Sequence, residues 1–312
     1  MRAVGVNHYG GPEALEVVDL PEPHAGPGQL RIRVHAAAVN PTDTYVRNGD
    51  RAKQQQKDPP PYVPGMDAAG FLDEIGDGVE TDLRVGDAVM AIVLPDGSHG
   101  AYSEHLALPV GSVARAPKGA SHAEACTLPM NGLTARLSLD ELALSPGDTI
   151  LVTGAAGAYG GYVVQLAKAD GLRVIADASP ADEALVAALG ADVVLARGDD
   201  LAERVRELEP GGVDGAADGA VMNQLLVPAV RDGGGFASVR GWKGEAQRDI
   251  TFYATMVRRY LEEQARLDRL REQAERGAVT LRVARTFPAE QAGEAHRQLE
   301  GGGVRGRLVI EL

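Results

Sequence analysis

The sequence predicts an α/β protein in which a doubly wound parallel sheet is joined to a β-rich domain. Three observations carry that expectation. From about Thr149 onward, short apolar runs alternate with Ala- and Leu-rich stretches, the pattern of strands returning through helices. Before about residue 125 the chain is dense in Gly and Pro and alternates apolar and polar with period two. Finally, 312 residues is about twice a typical domain length of roughly 150, so two domains are expected.

In the first part, Leu30-Arg31-Ile32-Arg33-Val34-His35-Ala36 reads as a half-buried strand, and Asp87–Val93 as another after a turn at Gly86. Pro21, Pro23, Gly26, Pro27, Gly28 and Pro59-Pro60-Pro61 punctuate it. The polar, Gln-rich stretch Arg51–Asp58 is expected to be an exposed loop, and His99 to His105 to lie in a strand. In the second part Thr149–Thr153 is a strand, followed by a glycine-rich turn and a helix through Ala169. Strands are then expected at Arg173–Ala176, Asp192–Leu195, Val213–Ala217 and Phe236–Val239, with helices at Ala181–Leu189 and Leu201–Leu208. Gly233-Gly234-Gly235 reads as the turn before Phe236. A charged helical region covers Met256–Arg276, with Leu261, Ala265, Leu267 and Leu270 as its buried side and its charges as a solvated face. The chain closes with a strand at Leu281–Val283, a helix at Glu290–Leu299 and a strand at Gly306–Ile310.

Composition excludes several classes of function. With 31 Lys and Arg against 44 Asp and Glu, the net charge of −13 argues against nucleic acid and anionic membranes as partners. The single cysteine, Cys126, excludes an internal disulfide and any zinc site built on several thiolates; it reads as a small buried apolar residue. The seven histidines show no metal-binding spacing and are expected to be exposed or hydrogen-bonded. No signal-peptide core and no run of about 18 apolar residues is present, so a cytoplasmic location is expected.

The strongest local signal is Val152-Thr153-Gly154-Ala155-Ala156-Gly157-Ala158-Tyr159-Gly160-Gly161. It follows an apolar strand and opens a helix, as a Rossmann dinucleotide site requires. Gly157 lets the backbone approach a pyrophosphate, Gly160 lets helix and strand pack closely, and the helix start offers free N–H groups to the anion. Gly154, Ala155, Gly157, Ala158, Tyr159 and Gly160 are therefore candidate cofactor-binding residues. At the ribose end the acid that selects NAD is expected after the second strand. Ala178 occupies that position and leaves room for a 2′-phosphate, but Asp177 stands one residue away, and Asp182 and Glu183 follow. Ser179 and Arg197, the nearest cation, complete this part of the candidate set. NADPH is favoured, with NADH open.

Several blocks resemble the zinc-independent quinone oxidoreductases of the medium-chain dehydrogenase/reductase superfamily, which is alcohol dehydrogenase-like. They are Tyr9-Gly10-Gly11-Pro12-Glu13, Ala38-Val39-Asn40-Pro41-Thr42-Asp43-Thr44-Tyr45, Pro64–Gly70, Val85-Gly86-Asp87, Asn131-Gly132-Leu133-Thr134-Ala135, Gly154–Gly160 and Gly303–Val309. They span nearly the whole chain in the family's order. The resemblance implies a GroES-like catalytic domain at 1–124 and 266–312 and a Rossmann domain at 125–265. It also implies a homodimer formed by edge pairing of the Rossmann sheets. Asn40 stands where zinc-dependent relatives place a cysteine ligand and Met66 where they place a histidine, so no metal is expected.

What the resemblance further implies is hydride transfer from NADPH to a small quinone or activated α,β-unsaturated carbonyl, in a cleft lined by Asn40, Tyr45 and Thr134, with Val239 near the cofactor. Tyr45 is the candidate proton or hydrogen-bond donor to the substrate oxygen; the alternative is a packed tyrosine with a satisfied hydroxyl. Asn40 is read as orienting the carboxamide or a water. Asp43 and Arg47 are expected to pair with each other, and Asp67 to be structural. The chain departs from the family at Ala158-Tyr159, where a Gly-Val pair is usual, at Asp182 in place of a lysine, and at Ala196 in place of a tyrosine. An enoyl reductase of a biosynthetic pathway and a non-catalytic NADPH-binding redox sensor are the rival readings.

Overall fold

The computed structural model of the protein describes residues 1–52 and 59–312, and within it the chain forms two units. One comprises Met1–Met130, Tyr260–Glu275 and Leu281–Leu312; the other comprises Asn131–Arg259 and Arg276–Thr280. The resemblance implied breaks at 124/125 and 265/266, whereas these units change over after Met130 and after Arg259, with Arg276–Thr280 also in the second. The first junction lies just inside a helix, where composition does not change.

The N-terminal part of the first unit contributes β1 (Arg2–Gly5), β2 (Glu16–Asp19), β3 (Gln29–Ala38), α1 (Pro41–Asn48), β4 (Asp67–Ile75), β5 (Ala88–Ile92), β6 (His105–Pro109), β7 (Val113–Arg115) and α2 (His122–Ala125). Helix α3 (Pro129–Leu142) leads into the second unit, which continues with β8 (Thr149–Thr153), α4 (Ala158–Ala169), β9 (Arg173–Ala178), α5 (Glu183–Ala188) and β10 (Val193–Ala196). It is completed by α6 (Leu201–Leu208), β11 (Val213–Asp218), β12 (Val230–Ser238) and β13 (Thr251–Ala254). The chain then supplies the first unit with α7 (Gln264–Glu275), β14 (Val283–Pro288), α8 (Ala292–Gly301) and β15 (Arg307–Glu311).

The first unit's main sheet runs β14-β15-β3-β4-β5-β7, with β6 also on β3. Strand β3 carries the period-two signal because Leu30, Ile32 and Val34 face the core and the residues between them do not. The tail joins this sheet by antiparallel pairing of β15 with β3, Val309 opposite Ala38. That pairing brings Arg307, at the start of β15, among residues more than 200 positions earlier.

The second unit's sheet runs β10-β9-β8-β11-β12-β13, parallel throughout. The chain fills it outward from β8 through β9 to β10, then returns to place β11 on the other side of β8. The strand order reverses there, so the carboxyl ends of β8 and β11 flank the crevice where open α/β sheets bind ligands.

Several expectations are corrected. The region Met256–Arg276 is a 3-10 turn (Val257–Tyr260) followed by the separate helix α7, whose inward positions are Leu267, Leu270 and Gln273. Ala265 is exposed and Leu261 only half-buried, because the helix starts at Gln264 with a phase set by Leu267 and Leu270. His99–Glu104 is not a strand, since Asp96 and His99 pair across a tight turn and regular pairing starts only at His105. Strand β14 begins at Val283 and runs to Pro288, beyond the expected Leu281–Val283. Gly233-Gly234-Gly235 lies inside β12 instead of preceding it. A Cβ at Gly235 would stand 2.7 Å from the Leu142 side chain, so glycine there reflects close helix packing. The loop expected at 51–58 falls, from residue 53, outside the described residues. Among the described residues no helix is long and apolar enough to cross a membrane.

Candidate functional site

The second unit holds the dinucleotide cradle. At the end of β8, Gly154 takes φ +65°, a conformation that favours glycine, and its carbonyl accepts the Gly157 N–H at 2.9 Å. Gly157 caps α4 with extended backbone and no side chain, leaving the first-turn N–H groups of Ala158, Tyr159 and Gly160 at the crevice. A Cβ at Gly160 would stand 2.4 Å from the Gly154 carbonyl oxygen, so only glycine allows the helix this close. These residues fit a dinucleotide, because the cradle is open backbone that side chains would fill.

The ribose end resolves around Asp177. Its carboxylate is fully buried: one oxygen accepts the Ala155 N–H at 3.3 Å and the other pairs with Arg197 Nε at 2.9 Å. It therefore braces the glycine turn from below. Ala178 closes β9, buried, and its carbonyl accepts the Arg197 N–H at 2.8 Å. The Arg197 side chain is 47% exposed, and among the described residues its side-chain hydrogen bond is the one from Nε to Asp177. Ser179 donates to Asp182 at 2.5 Å, and Val239 follows the end of β12, half-buried.

Beside the cradle, Asp218 ends β11 fully buried and accepts Thr153 Oγ1 at 2.6 Å and the Met222 and Asn223 N–H groups at 3.1 and 2.7 Å. The glycine motif gave no sign of Asp218; a carboxylate closing a predicted strand at the switch point was the available signal. Tyr159 turns its side chain to α3, where its hydroxyl is 2.7 Å from Ser138 Oγ, and Ser138 bonds the Thr134 carbonyl at 3.0 Å. Thr134 is nearly buried.

The first unit gathers Asn40, Asp43 and Asp67. Asn40 is fully buried. Its amide donates to the Ala38 carbonyl (3.2 Å) and Asp67 Oδ2 (2.9 Å), and its oxygen accepts Arg307 Nη2 at 2.7 Å. Both amide hydrogens are thus committed, and Asn40 meets a carboxamide or a water only by breaking a bond it already has. Asp67, also fully buried, accepts Arg307 at 3.0 Å and the Met130 N–H at 2.6 Å. Burial pushes its carboxyl above the usual range and the Arg307 charge opposes that rise.

Asp43 and Arg47 do not pair, contrary to expectation. Asp43 turns back to the start of α1 and accepts the Asn40 N–H (2.8 Å), the Gly65 N–H (3.2 Å) and the Tyr102 hydroxyl (2.9 Å). Arg47 instead reaches α8, 2.6 Å from Glu300 and 3.3 Å from His296 Nδ1. Arginine can only donate, so Nδ1 of His296 accepts, and its Nε2 carries the proton toward Tyr102 Oη, 3.1 Å away. Burial raises Asp43 to about 7 against the hydrogen bonds it accepts, and lowers His296 to about 3, with the Arg47 charge adding to the fall. Tyr45 is half-buried on α1, and its hydroxyl bonds none of the described residues.

The donor set does not fit a zinc ion. Asn40 is spent on its neighbours, Met66 Sδ accepts the Thr42 hydroxyl at 3.1 Å, and the lone Cys126 is fully buried with its thiol pushed up by burial. Among the described residues no three His, Cys, Asp or Glu side chains are grouped to hold a metal.

Comparison with known proteins agrees with this architecture. Residues 26–135 match the family described as alcohol dehydrogenase GroES-like domain, and residues 189–310 the one described as zinc-binding dehydrogenase. A 2-haloacrylate reductase of Burkholderia sp is 30% identical, the match covering 99% of this chain and 98% of that one. A probable quinone oxidoreductase of Schizosaccharomyces pombe is 28% identical, covering 98% of this chain and 96% of that protein. Among solved structures, an NAD-dependent alcohol dehydrogenase superposes with TM-score 0.87 at 32% identity, covering 100% of both chains. A mycobacterial protein solved with NADPH gives TM-score 0.86 at 29% identity, again over 100% of both. The chain belongs to the alcohol dehydrogenase-like medium-chain dehydrogenases/reductases, in their zinc-independent quinone oxidoreductase branch.

Proposed function

We propose that this chain reduces quinones and activated α,β-unsaturated carbonyl compounds with NADPH and without a metal. The observation that carries the cofactor part is the burial of Asp177. The acid nearest the ribose position is spent on Ala155 N–H and Arg197, so it is withdrawn from a ribose diol, while Arg197 offers its outer amino groups to a 2′-phosphate. Ser179 adds a hydroxyl beside it. The first-turn N–H groups of α4 would hold the pyrophosphate, and Thr134 and Val239 would border the nicotinamide end.

When bound, NADPH supplies a hydride. The chain's own residues then have two tasks. Tyr45, whose phenol is held on the rigid helix α1, donates a hydrogen bond to the substrate oxygen and passes its proton as negative charge develops there. Asn40, Asp67 and Arg307 fix the start of that helix, so Asn40 is a positioning residue. With no Lewis acid in the donor set, polarisation rests on such hydrogen bonds, which suits acceptors that stabilise their own charge. The names of the relatives, a quinone oxidoreductase and a 2-haloacrylate reductase, support this acceptor class. A homodimer through the outer edge of β13, which among the described strands pairs only with β12, and a cytoplasmic location complete the proposal.

The test is steady-state turnover of Tyr45→Phe on an enone. General acid catalysis contributes about 10²–10⁴-fold, so kcat should fall at least tenfold with the KM for NADPH unchanged; an unchanged kcat removes Tyr45 from the chemistry.

A further inference from the structure

We propose that Tyr159 is a positioning residue for the cofactor: its phenol, tethered through Ser138 to the Thr134 carbonyl, sets the helix start that receives the pyrophosphate. This rests on the NADPH reading above. Hydrogen accounting makes the tether directional. Ser138 has one hydroxyl proton, and the carbonyl one helical turn back, Thr134 O at 3.0 Å, takes it. Tyr159, 2.7 Å from Ser138 Oγ, is then the donor in that contact. Thr255 Oγ1, which donates its own proton to Glu141 at 2.7 Å, is the more distant acceptor for the Ser138 proton at 3.4 Å, and with either acceptor Tyr159 remains the donor to Ser138. The proton order is Tyr159 to Ser138 to Thr134 carbonyl. Burial pushes the Tyr159 phenol above its usual range, which favours the protonated, donating form.

The ring is also confined. A Cβ at Gly219 would stand 2.8 Å from a Tyr159 ring carbon, so the ring is wedged beside the turn that follows β11. Tyr159 is the second residue of α4, inside the first turn, which has no side-chain cap. A side chain anchored at both ring and hydroxyl holds the N–H groups of that turn in one orientation before the anion arrives, which lowers the ordering cost of binding. An aliphatic residue there would fill space without the tether, and that distinguishes positioning from packing.

The experiment measures binding of NADPH and of adenosine 2′-phosphate, which carries no pyrophosphate, to the full chain by titration calorimetry. Tyr159→Phe keeps the ring and removes one hydrogen bond, so the NADPH Kd should rise roughly fivefold, with adenosine 2′-phosphate binding unchanged and Tm lowered by no more than a few degrees. Ser138→Ala should weaken NADPH in the same direction, and the double variant no further than the weaker single one, because both break one tether. The proposal is overturned if Tyr159→Phe binds NADPH within twofold of wild type, or if both ligands weaken together. Should Tyr159→Phe fail to fold, Ser138→Ala carries the same comparison. A wild-type chain that binds no dinucleotide refutes the cofactor reading itself.

Discussion

Removing Arg307 should cost more stability than removing any exposed arginine of this chain. Its side chain is 4% exposed, and Nη2 serves the Val39 carbonyl at 3.1 Å, Asn40 Oδ1 at 2.7 Å and Asp67 Oδ2 at 3.0 Å. In Arg307→Met, Asp67 stays buried with only the Asn40 amide and the Met130 N–H as donors. Breaking a buried pair by deleting one partner costs about 3–5 kcal/mol, because an uncompensated charge is left behind. That is a large part of a typical stability of about 5–15 kcal/mol. The change would also loosen the link from β15 to β3, so the loss should appear in the first unit. Urea denaturation read by far-UV circular dichroism measures it. Arg307→Met/Asp67→Leu should recover most of the loss, since an apolar pair of similar volume carries no stranded charge. A single-variant cost below about 1 kcal/mol, the range of exposed pairs, would refute the reasoning.

Three further outcomes are expected. The buried pair His296 and Asp43 should give opposing pH dependences. His296, lowered to about 3 in the fold against an ordinary value of 6.5, loses stability for the fold as pH falls from 6.5 toward 3, since the unfolded chain protonates first. Asp43, raised to about 7 from 3.8, loses it as pH rises from 3.8 toward 7. Relative to wild type, His296→Gln should therefore gain stability toward acid and Asp43→Asn toward neutral pH; parallel Tm-against-pH curves for all three proteins would contradict this. Arg197→Ala should weaken NADPH at least tenfold more than NADH, as a charge-assisted contact worth about 1.5–3 kcal/mol requires, with any loss common to both cofactors reporting the stranded Asp177; isothermal titration decides it. Gly160→Ala, whose new methyl would stand 2.4 Å from the Gly154 carbonyl oxygen, should abolish measurable NADPH binding; retained affinity would show that helix and strand can separate freely.

What was legible in the sequence follows from how locally each feature is determined. Strand β3, helix α6 and the glycine turn were readable because period, apolar runs and glycine spacing are local signals. The partners of Asp43 and Arg47 were not. Four residues apart on one helix, they satisfy the spacing of an ion pair, but tertiary packing offers each a better partner: backbone N–H groups and Tyr102 for one, Glu300 and His296 of α8 for the other. The hydrogen-bond partners of Asn40 were hidden for the same reason, since Arg307 reaches it only when β15 joins the sheet and Asp67 only when β4 pairs with β3. Asp177 was visible as a residue near the ribose position, yet its direction depends on which strand face it takes, and that is fixed by the sheet. Ala265 was misplaced because a helix start shifted by a few residues rotates every face that follows.

Metal-free, NADPH-dependent reduction is tested by NADPH consumption by the chelator-treated chain against a quinone, a linear enone and an enoyl thioester, with NADH in parallel. The expected result is turnover of the quinone or enone, faster with NADPH than NADH and unaffected by chelation. Loss of activity on chelation, or cofactor binding without turnover of any acceptor, would contradict it.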